Sequence, residues 1–127
     1  MSRYDTSQGT LIRDQQRALH AYGCIDRVPR NDQRNYKIAV NDLGANIMRS
    51  GLCAALAAVQ RLRGRGGEVL LQHLATANVP GLEAVSGDDL TRRVREMNAE
   101  EYMIVTREIL QVAMWLKRAT QATFGGD

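Results

Sequence analysis

The clearest fold signal in this chain is the stretch over residues 99–122, which reads AEEYMIVTREILQVAMWLKRATQA. Its apolar residues recur every three or four positions, which is the period of an α-helix. They form one stripe with two flanks: Tyr102, Val105, Ile109, Val112, Ala113 and Leu116, then Met103, Leu110 and Met114, then Ile104 and Trp115. A helix that is apolar nearly all round usually lies at the centre of its domain or is covered by a partner.

The rest of the chain shows the same spacing in shorter segments. Apolar residues follow it over residues 10–28, 36–47, 52–62 and 69–77. Pro29, Gly51, Gly64 and Pro80 lie between or just after these segments. Proline and glycine are the residues that most often end helices, so each segment is predicted to be a separate helix.

Capping patterns mark the start of one further helix and that of the last helix. Ser86 is followed three residues later by Asp89, and Asn98 by Glu101, as in a capping box. No stretch shows sustained period-two alternation, the pattern of a half-buried strand. We therefore predict an all-α fold, a compact single-domain bundle of five to six helices over residues 1–127, with residues 1–9 as a loose N-terminal tail.

Composition limits the possible functions. A chain of 127 residues, 44% hydrophobic and 24% charged, corresponds to one ordinary globular domain. A net charge of +3 and a pI of about 9.2 suggest a polyanionic partner without proving one. All the basic residues except Lys37 and Lys117 are arginine. A GC-rich genome would produce that bias, and so would a surface that grips phosphate with bidentate guanidinium groups.

The cysteines and the N-terminus indicate a compartment. Cys24 and Cys53 stand alone, without a CxxC motif or a disulfide ladder, as in a reduced compartment. Residues 1–8 are polar and carry no signal peptide. No run of about 18 apolar residues is present. We expect a cytoplasmic protein without membrane contact.

The sequence contains no convincing catalytic constellation, and no Walker loop, GxSxG or HExxH motif. His20 and Cys24 are one helical turn apart and could supply two metal ligands, and Asp88-Asp89 could hold a hard cation. The simpler interpretation is a surface histidine beside a buried cysteine, and acids that favour a helix N-terminus. We expect no catalytic residue, no bound metal and no cofactor.

The most suggestive short segment is RLRGRGG at residues 61–67. Arg61, Arg63 and Arg65 lie on a glycine-rich turn before a helix, where they could wrap a phosphate; a solvated loop is the competing interpretation. The arginines of residues 92–95 are better explained as a solvated helix face. Those of residues 27–34 border a loop and could also contact phosphate. Such contacts give affinity without sequence reading, and with 5% aromatic residues few rings could stack on bases.

Three segments together resemble a known family. The first helix carries QQRA at residues 15–18. The second region reads YKIAVNDLGANIMRSGL at 36–52 and continues with AALA at 54–57. The last helix carries EY at 101–102, TRE at 106–108 and WLKRA at 115–119. In this order they are similar to the fifth, small subunit of the Cmr complex, the type III-B CRISPR effector, over about residues 11–120.

The sequence departs from the family pattern in the second helix. Gly44 stands where the family often has proline, Ser50 where it often has asparagine, and Asn41-Asp42 where a pair is often basic. The middle of that helix is therefore a poor candidate for nucleic-acid contact. The family's basic positions are retained at Arg17, Arg107, Lys117 and Arg118.

The resemblance implies a non-catalytic scaffold subunit of antiviral defence, without nuclease activity. Several copies would self-associate into a minor filament beside the backbone and large subunits of the complex. The filament would line the channel where guide RNA and target RNA pair, and would contact their backbones without reading sequence. The residues predicted to bind nucleic acid are Arg17, Arg61, Arg63, Arg65, Lys117 and Arg118.

Two other hypotheses remain open at this point. One is a helical adaptor that binds only protein partners, without nucleic-acid contact. The other is a metal-dependent enzyme that uses His20, Cys24 and Asp88-Asp89. Salt-dependent RNA binding would separate the scaffold from the adaptor, because phosphate neutralisation makes affinity fall log-linearly with salt. Metal analysis of the purified chain would test the enzyme.

Overall fold

The computed structural model of the protein describes the backbone of residues 2–124 and the side chains of residues 12–124. In that part of the chain it contains helices and no strand: α1 (Ser2–Asp26), α2 (Gln33–Ser50), α3 (Leu52–Gln60), α4 (Gly66–Ala75), α5 (Gly87–Arg95) and α6 (Ala99–Phe124). One turn of 3-10 helix at Arg30–Asp32 joins α1 to α2. The predicted all-α fold class and the predicted number of helices are confirmed. None of these helices combines the length and apolar character that a membrane span needs.

Helix α1 begins at Ser2, inside the stretch of residues 1–9 that the sequence predicts to be a loose tail; Met1 lies outside the described residues. Helix formation is cooperative, so extending an existing helix costs far less than starting one. Residues 2–9 contain no proline to stop that extension. The polar composition that suggested a tail therefore does not decide its backbone conformation.

Helix α4 begins at Gly66, three residues before the predicted start at Val69. The two glycines of its first turn allow three helices to meet closely. A Cβ atom on Gly66 would lie 2.5 Å from the backbone nitrogen of Tyr36, and one on Gly67 would lie 2.4 Å from the carbonyl oxygen of Val59. The start of α4 is thus pressed between the start of α2 and the end of α3, which fixes the loop that precedes it.

The core lies between these helices, and α6 packs along α1 and α2. Its largest fully buried side chains come from all six helices and from the loop after α4: Tyr36, Ile25, Leu43, Leu52, Leu56, Leu70, Leu74, Leu82, Leu90, Ile109 and Leu116. The predicted stripe of α6 is buried except for Tyr102, which is only partly covered. Met103, Ile104 and Met114, on its flanks, are exposed. Helix α6 is therefore central on one side and open on the other.

The two predicted capping boxes differ in the structure. At α6 the box is complete, because the Glu101 N–H donates to Asn98 Oδ1 at 2.9 Å and the Asn98 N–H donates to Glu101 Oε1 at 3.4 Å. At α5 the Ser86 hydroxyl instead donates to Asp89 Oδ2 at 3.4 Å, and the Ser86 side chain does not cap the helix. The predicted start of each helix is nevertheless correct.

Candidate nucleic-acid interface

The loop between α3 and α4 carries three of the predicted arginines, and all three are exposed. The loop lies on the start of α2, because a Cβ atom on Gly64 would be only 2.6 Å from the Asn35 side-chain nitrogen. Arg65 faces Glu68 at 3.5 Å, and both side chains are largely exposed. Within the described residues, Arg61 and Arg63 form no ion pair. Their charges are therefore available to an external anion.

A second basic segment reaches the same place. Arg30 lies in the 3-10 turn and Arg34 in the first turn of α2, and both are solvent-accessible. Since the α3–α4 loop rests on Asn35, the residue after Arg34, the two segments meet at the start of α2. We call Arg30, Arg34, Arg61, Arg63 and Arg65 the arginine cluster. Asp32 is the acid within these segments and Glu68 follows three residues after Arg65, so arginines outnumber acids there.

Helix geometry adds to the positive potential of the cluster. Helices α2 and α4 both begin there, and the N-terminal end of a helix carries a partial positive charge. Neither N-cap residue, Asp32 or Arg65, makes a side-chain hydrogen bond to its helix. The arrangement favours an oxyanion such as phosphate, which accepts hydrogen bonds from guanidinium groups in bidentate fashion.

Lys117 and Arg118 are exposed on α6. The Arg118 guanidinium carbon lies 5.3 Å from the centroid of the Trp115 ring, a cation–π arrangement. The start of α6 is fixed at the corner between α2 and α3, where the Cys53 N–H donates to the Tyr102 hydroxyl at 3.1 Å. From there α6 packs along α2. Fifteen residues at 1.5 Å each, about 22 Å, carry Lys117 back toward the end where α2 begins.

Arg17 lies elsewhere and already has a partner. Its guanidinium forms an ion pair with Glu108 of α6, and the two side chains are only 15% and 22% exposed. The pair lines a groove of about 550 Å³ together with Arg13, His20 and the loop after α4. Arg17 therefore ties α1 to α6, a role that the sequence prediction did not include. Partners 91 residues apart leave no local signal in the sequence.

Of the residues in the metal hypothesis, His20 and Cys24 belong to a partly buried network between helices, whereas Asp88 and Asp89 are exposed on α5. The His20 ring Nε2 donates to the His73 carbonyl oxygen at 2.9 Å, and Cys24 Sγ lies 3.5 Å from the same nitrogen. Burial raises the pKa of the Cys24 thiol, although Arg27 opposes that shift. A protonated thiol is a weak ligand and nucleophile. Among the residues that the structure describes, no three His, Cys, Asp or Glu side chains are placed to share a metal ion.

His73 extends this network to the start of α2. Its Nδ1 accepts a hydrogen bond from the Tyr36 hydroxyl at 2.8 Å, with the rings in an edge arrangement. Burial, followed by the nearby His20 and Arg27, lowers the pKa of His73 to about 4. Burial likewise raises the pKa of Tyr36. The pair is therefore neutral near pH 7 and joins α4 to α2 beneath the arginine cluster.

The arginines of α5 are placed differently from those of the cluster. Arg92 pairs with Asp89 at 3.3 Å and with Glu96 at 3.5 Å. Arg93 pairs with Glu101 at 3.3 Å. All three arginines of this helix are at least partly exposed, as a solvated helix face requires. Intramolecular acids neutralise two of them.

The sequence missed the meeting of the two basic segments. The sequence predicts possible phosphate contacts separately for the arginines of residues 27–34 and for those of residues 61–65, and no local pattern joins the two segments. The signal that could have joined them is the glycine spacing over residues 64–67, since glycines in the first turn of a helix often mark a close approach of two backbones.

Comparisons with known proteins agree with the fold and with the sequence resemblance. Residues 13–123 match the family described as CRISPR-associated protein (Cas_Cmr5). A search of curated proteins finds no match. The X-ray crystal structure of a CRISPR-associated Cmr5 family protein from Thermus thermophilus is similar, with a TM-score of 0.76 and 29% identity, covering 87% of this chain and 96% of that one.

The family match spans most of the chain, and the structural match covers nearly the whole of the similar protein. The resemblance carried by the three sequence segments is therefore confirmed. This chain belongs to the Cmr5 family and is a small all-helical subunit of the Cmr complex in CRISPR defence.

Proposed function

We propose that this chain is a non-catalytic scaffold subunit of the type III-B effector that contacts the backbones of guide and target RNA. Several copies self-associate into a minor filament beside the other Cmr subunits. Family membership supports the place in the complex. The RNA contact rests on the arginine cluster, and the self-association rests on the exposed apolar side chains of α1 and α6.

The arginine cluster is the single observation that carries the RNA contact. Arg61 and Arg63 are exposed and form no ion pair with the acids that the structure describes, and Arg30 and Arg34 lie beside them. Phosphate oxygens of RNA would provide the anionic partners that Arg61 and Arg63 lack among the described acids. Exposed guanidinium groups of this kind suit contact with the phosphate backbone, which positions the nucleic acid without reading its sequence.

Lys117 and Arg118 are a second, smaller part of the proposed contact. Both are exposed at the far end of α6, and stacking on Trp115 holds the Arg118 guanidinium in place. Arg17 contributes less, because its ion pair with Glu108 already uses part of its donor set. The proposed order of importance is thus the loop arginines first, then the α6 pair, then Arg17.

The test is RNA binding by the purified chain at several salt concentrations, with two single-stranded RNAs of unrelated sequence. Contact with three to five phosphates predicts a log–log slope of about −2 to −3.5, at about −0.7 per phosphate for single strands. The two RNAs should give the same slope and similar affinities. Absent binding, or binding that salt does not weaken, would favour the adaptor that binds only protein.

A further inference from the structure

An apolar groove runs along the open side of α6. It is lined by Tyr102, Met103, Thr106, Arg107 and Leu110, and its volume is about 240 Å³. Met103 is 59% exposed at its edge. The polar atoms beside it are satisfied within the chain, because the Tyr102 hydroxyl accepts from the Cys53 N–H and the Thr106 hydroxyl donates to the Tyr102 carbonyl. Apart from the Arg107 guanidinium, the groove offers only apolar contact.

Helix α1 presents a ridge that is complementary to this groove. Leu19 is 74% exposed, which is unusual for so large an aliphatic side chain. Tyr22 and Asp26 follow it at spacings of three and seven residues, so the three lie on one face of the helix. Tyr22 is also exposed, and so is the Asp26 carboxylate. The ridge therefore ends in a negative charge, whereas the groove carries a positive one.

We propose that Leu19 of one copy docks into the α6 groove of a second copy, with Asp26 facing Arg107 across the contact. This inference rests on the self-association in the proposed function and assigns the surfaces that make it. Burial of Leu19 against Met103 and Leu110 removes apolar surface from water, and the opposite charges fix the orientation. RNA is a poorer occupant, since phosphate would engage Arg107 and leave the apolar lining uncovered.

The contact is heterologous, because the ridge and the groove are different surfaces. Each copy offers one ridge and one groove, so each can bind two neighbours, and assembly continues from copy to copy unless a rotation closes it. Removing either surface should stop growth, and removing both from one molecule adds no further defect.

The test compares the assembly of Leu19→Asp, Met103→Asp and Met48→Asp variants by sedimentation velocity over a range of protein concentrations. Met48, on α2, is 76% exposed and serves as the matched control. The wild type and Met48→Asp should form species that grow with concentration, while Leu19→Asp and Met103→Asp should each sediment as monomers. All three positions are exposed, so thermal melts should show that each variant folds.

Mixing the two monomeric variants makes the test specific. Leu19→Asp keeps its groove and Met103→Asp keeps its ridge, so an equimolar mixture should form a dimer that grows no further. A mixture that stays monomeric, a Met48→Asp variant as defective as the others, or either variant assembling like the wild type would overturn the inference. RNA titration of the same samples reports on the arginine cluster separately, and a wild type that stays monomeric at every concentration would remove self-association from the proposed function as well.

Discussion

Two runs of three arginines, one over residues 61–65 and one over residues 92–95, have opposite surroundings. In the second run, Asp89 and Glu96 lie three residues before and four after Arg92, the spacing at which a helix brings side chains together. In the first run, glycines interrupt the chain, and the only ion pair among the described residues is that of Arg65 with Glu68. Acids on or next to α5 and at the start of α6 therefore neutralise Arg92 and Arg93, whereas the glycine-rich loop leaves Arg61 and Arg63 for an external anion.

The comparison also explains why charge alone is a poor guide to function in this chain. Both runs add the same formal charge, but only the loop run lies beside a second basic segment and two helix starts. The close packing of Gly66 on Tyr36 holds that arrangement together. Placement and pairing distinguish the two runs, and each can be changed by substitution.

Gly66→Ala should have the largest effect on the arrangement that distinguishes the loop arginines from those of α5. The new Cβ would lie 2.5 Å from the backbone nitrogen of Tyr36, and overpacking against backbone costs about 3 kcal/mol, offset by about 1 kcal/mol of helix propensity. Urea denaturation should therefore show a loss of about 2 kcal/mol or more. RNA binding should weaken although no charge is lost, because the loop is displaced.

Gly44→Ala is the matched control for that substitution. It lies within α2, and nothing is within 4 Å of its added Cβ. The expected change is a gain of up to about 1 kcal/mol from helix propensity. Equal stability of the two variants would contradict the account of how the loop is held.

Acid should weaken the contact between His73 of α4 and Tyr36 at the start of α2. The pKa of His73 is about 4 in the folded protein, against about 6.5 for a free histidine. Between these values the unfolded chain binds the proton more readily, so stability is lost as pH falls from about 6.5 to 4. The loss should reach about 3 kcal/mol, at 1.36 kcal/mol per pKa unit.

Denaturation curves between pH 7 and pH 4 would measure this loss, with His73→Asn as the comparison. An amide does not titrate, so the difference between the two proteins isolates His73 from the carboxylates that titrate nearby. Parallel stability profiles for the two proteins would show that His73 is not the responsible group.

Releasing Arg92 of α5 from its acidic partners should have a small effect on RNA binding. In an Asp89→Asn/Glu96→Gln variant, Arg92 loses both partners and becomes available to phosphate. Thermal stability should barely change, because exposed ion pairs contribute little. The salt slope of RNA binding should steepen by about 0.7 if one new phosphate contact forms.

An Asp42→Asn/Glu100→Gln variant removes the same charge from exposed acids that form no ion pair within the described residues, and should leave the slope unchanged. If both double variants gave the wild-type slope, position on the surface would outweigh pairing as the cause of the difference between the two runs.

Much of the fold could be predicted because its signals are local. The period of α6, the glycine at the corner of α2 and α3, and the Asn98–Glu101 capping box are all read within a few residues. The N-terminal extent of α1 and the early start of α4 could not be predicted, since the first depends on cooperativity along a polar segment. The second depends on contacts with Tyr36 and Val59, which lie outside the α4 segment of the sequence.

The candidate site shows the same division. The exposure of Arg61, Arg63 and Arg65 follows from a local glycine-rich pattern. The pairing of Arg17 with Glu108, and the meeting of the loop with Arg34, join segments that only the tertiary structure brings together. No period or motif within one segment carries such information.

The most direct test compares Arg61→Ala/Arg63→Ala/Arg65→Ala with Arg92→Ala/Arg93→Ala/Arg95→Ala in RNA titrations at several salt concentrations. Both variants remove three arginines from a short run, so the change in net charge is matched. The account predicts that the loop variant loses about 2 from the salt slope, at about 0.7 per phosphate contact, while the α5 variant keeps the wild-type slope. Equal slopes and equal affinities for the two variants would contradict the claim that the arginine cluster binds RNA.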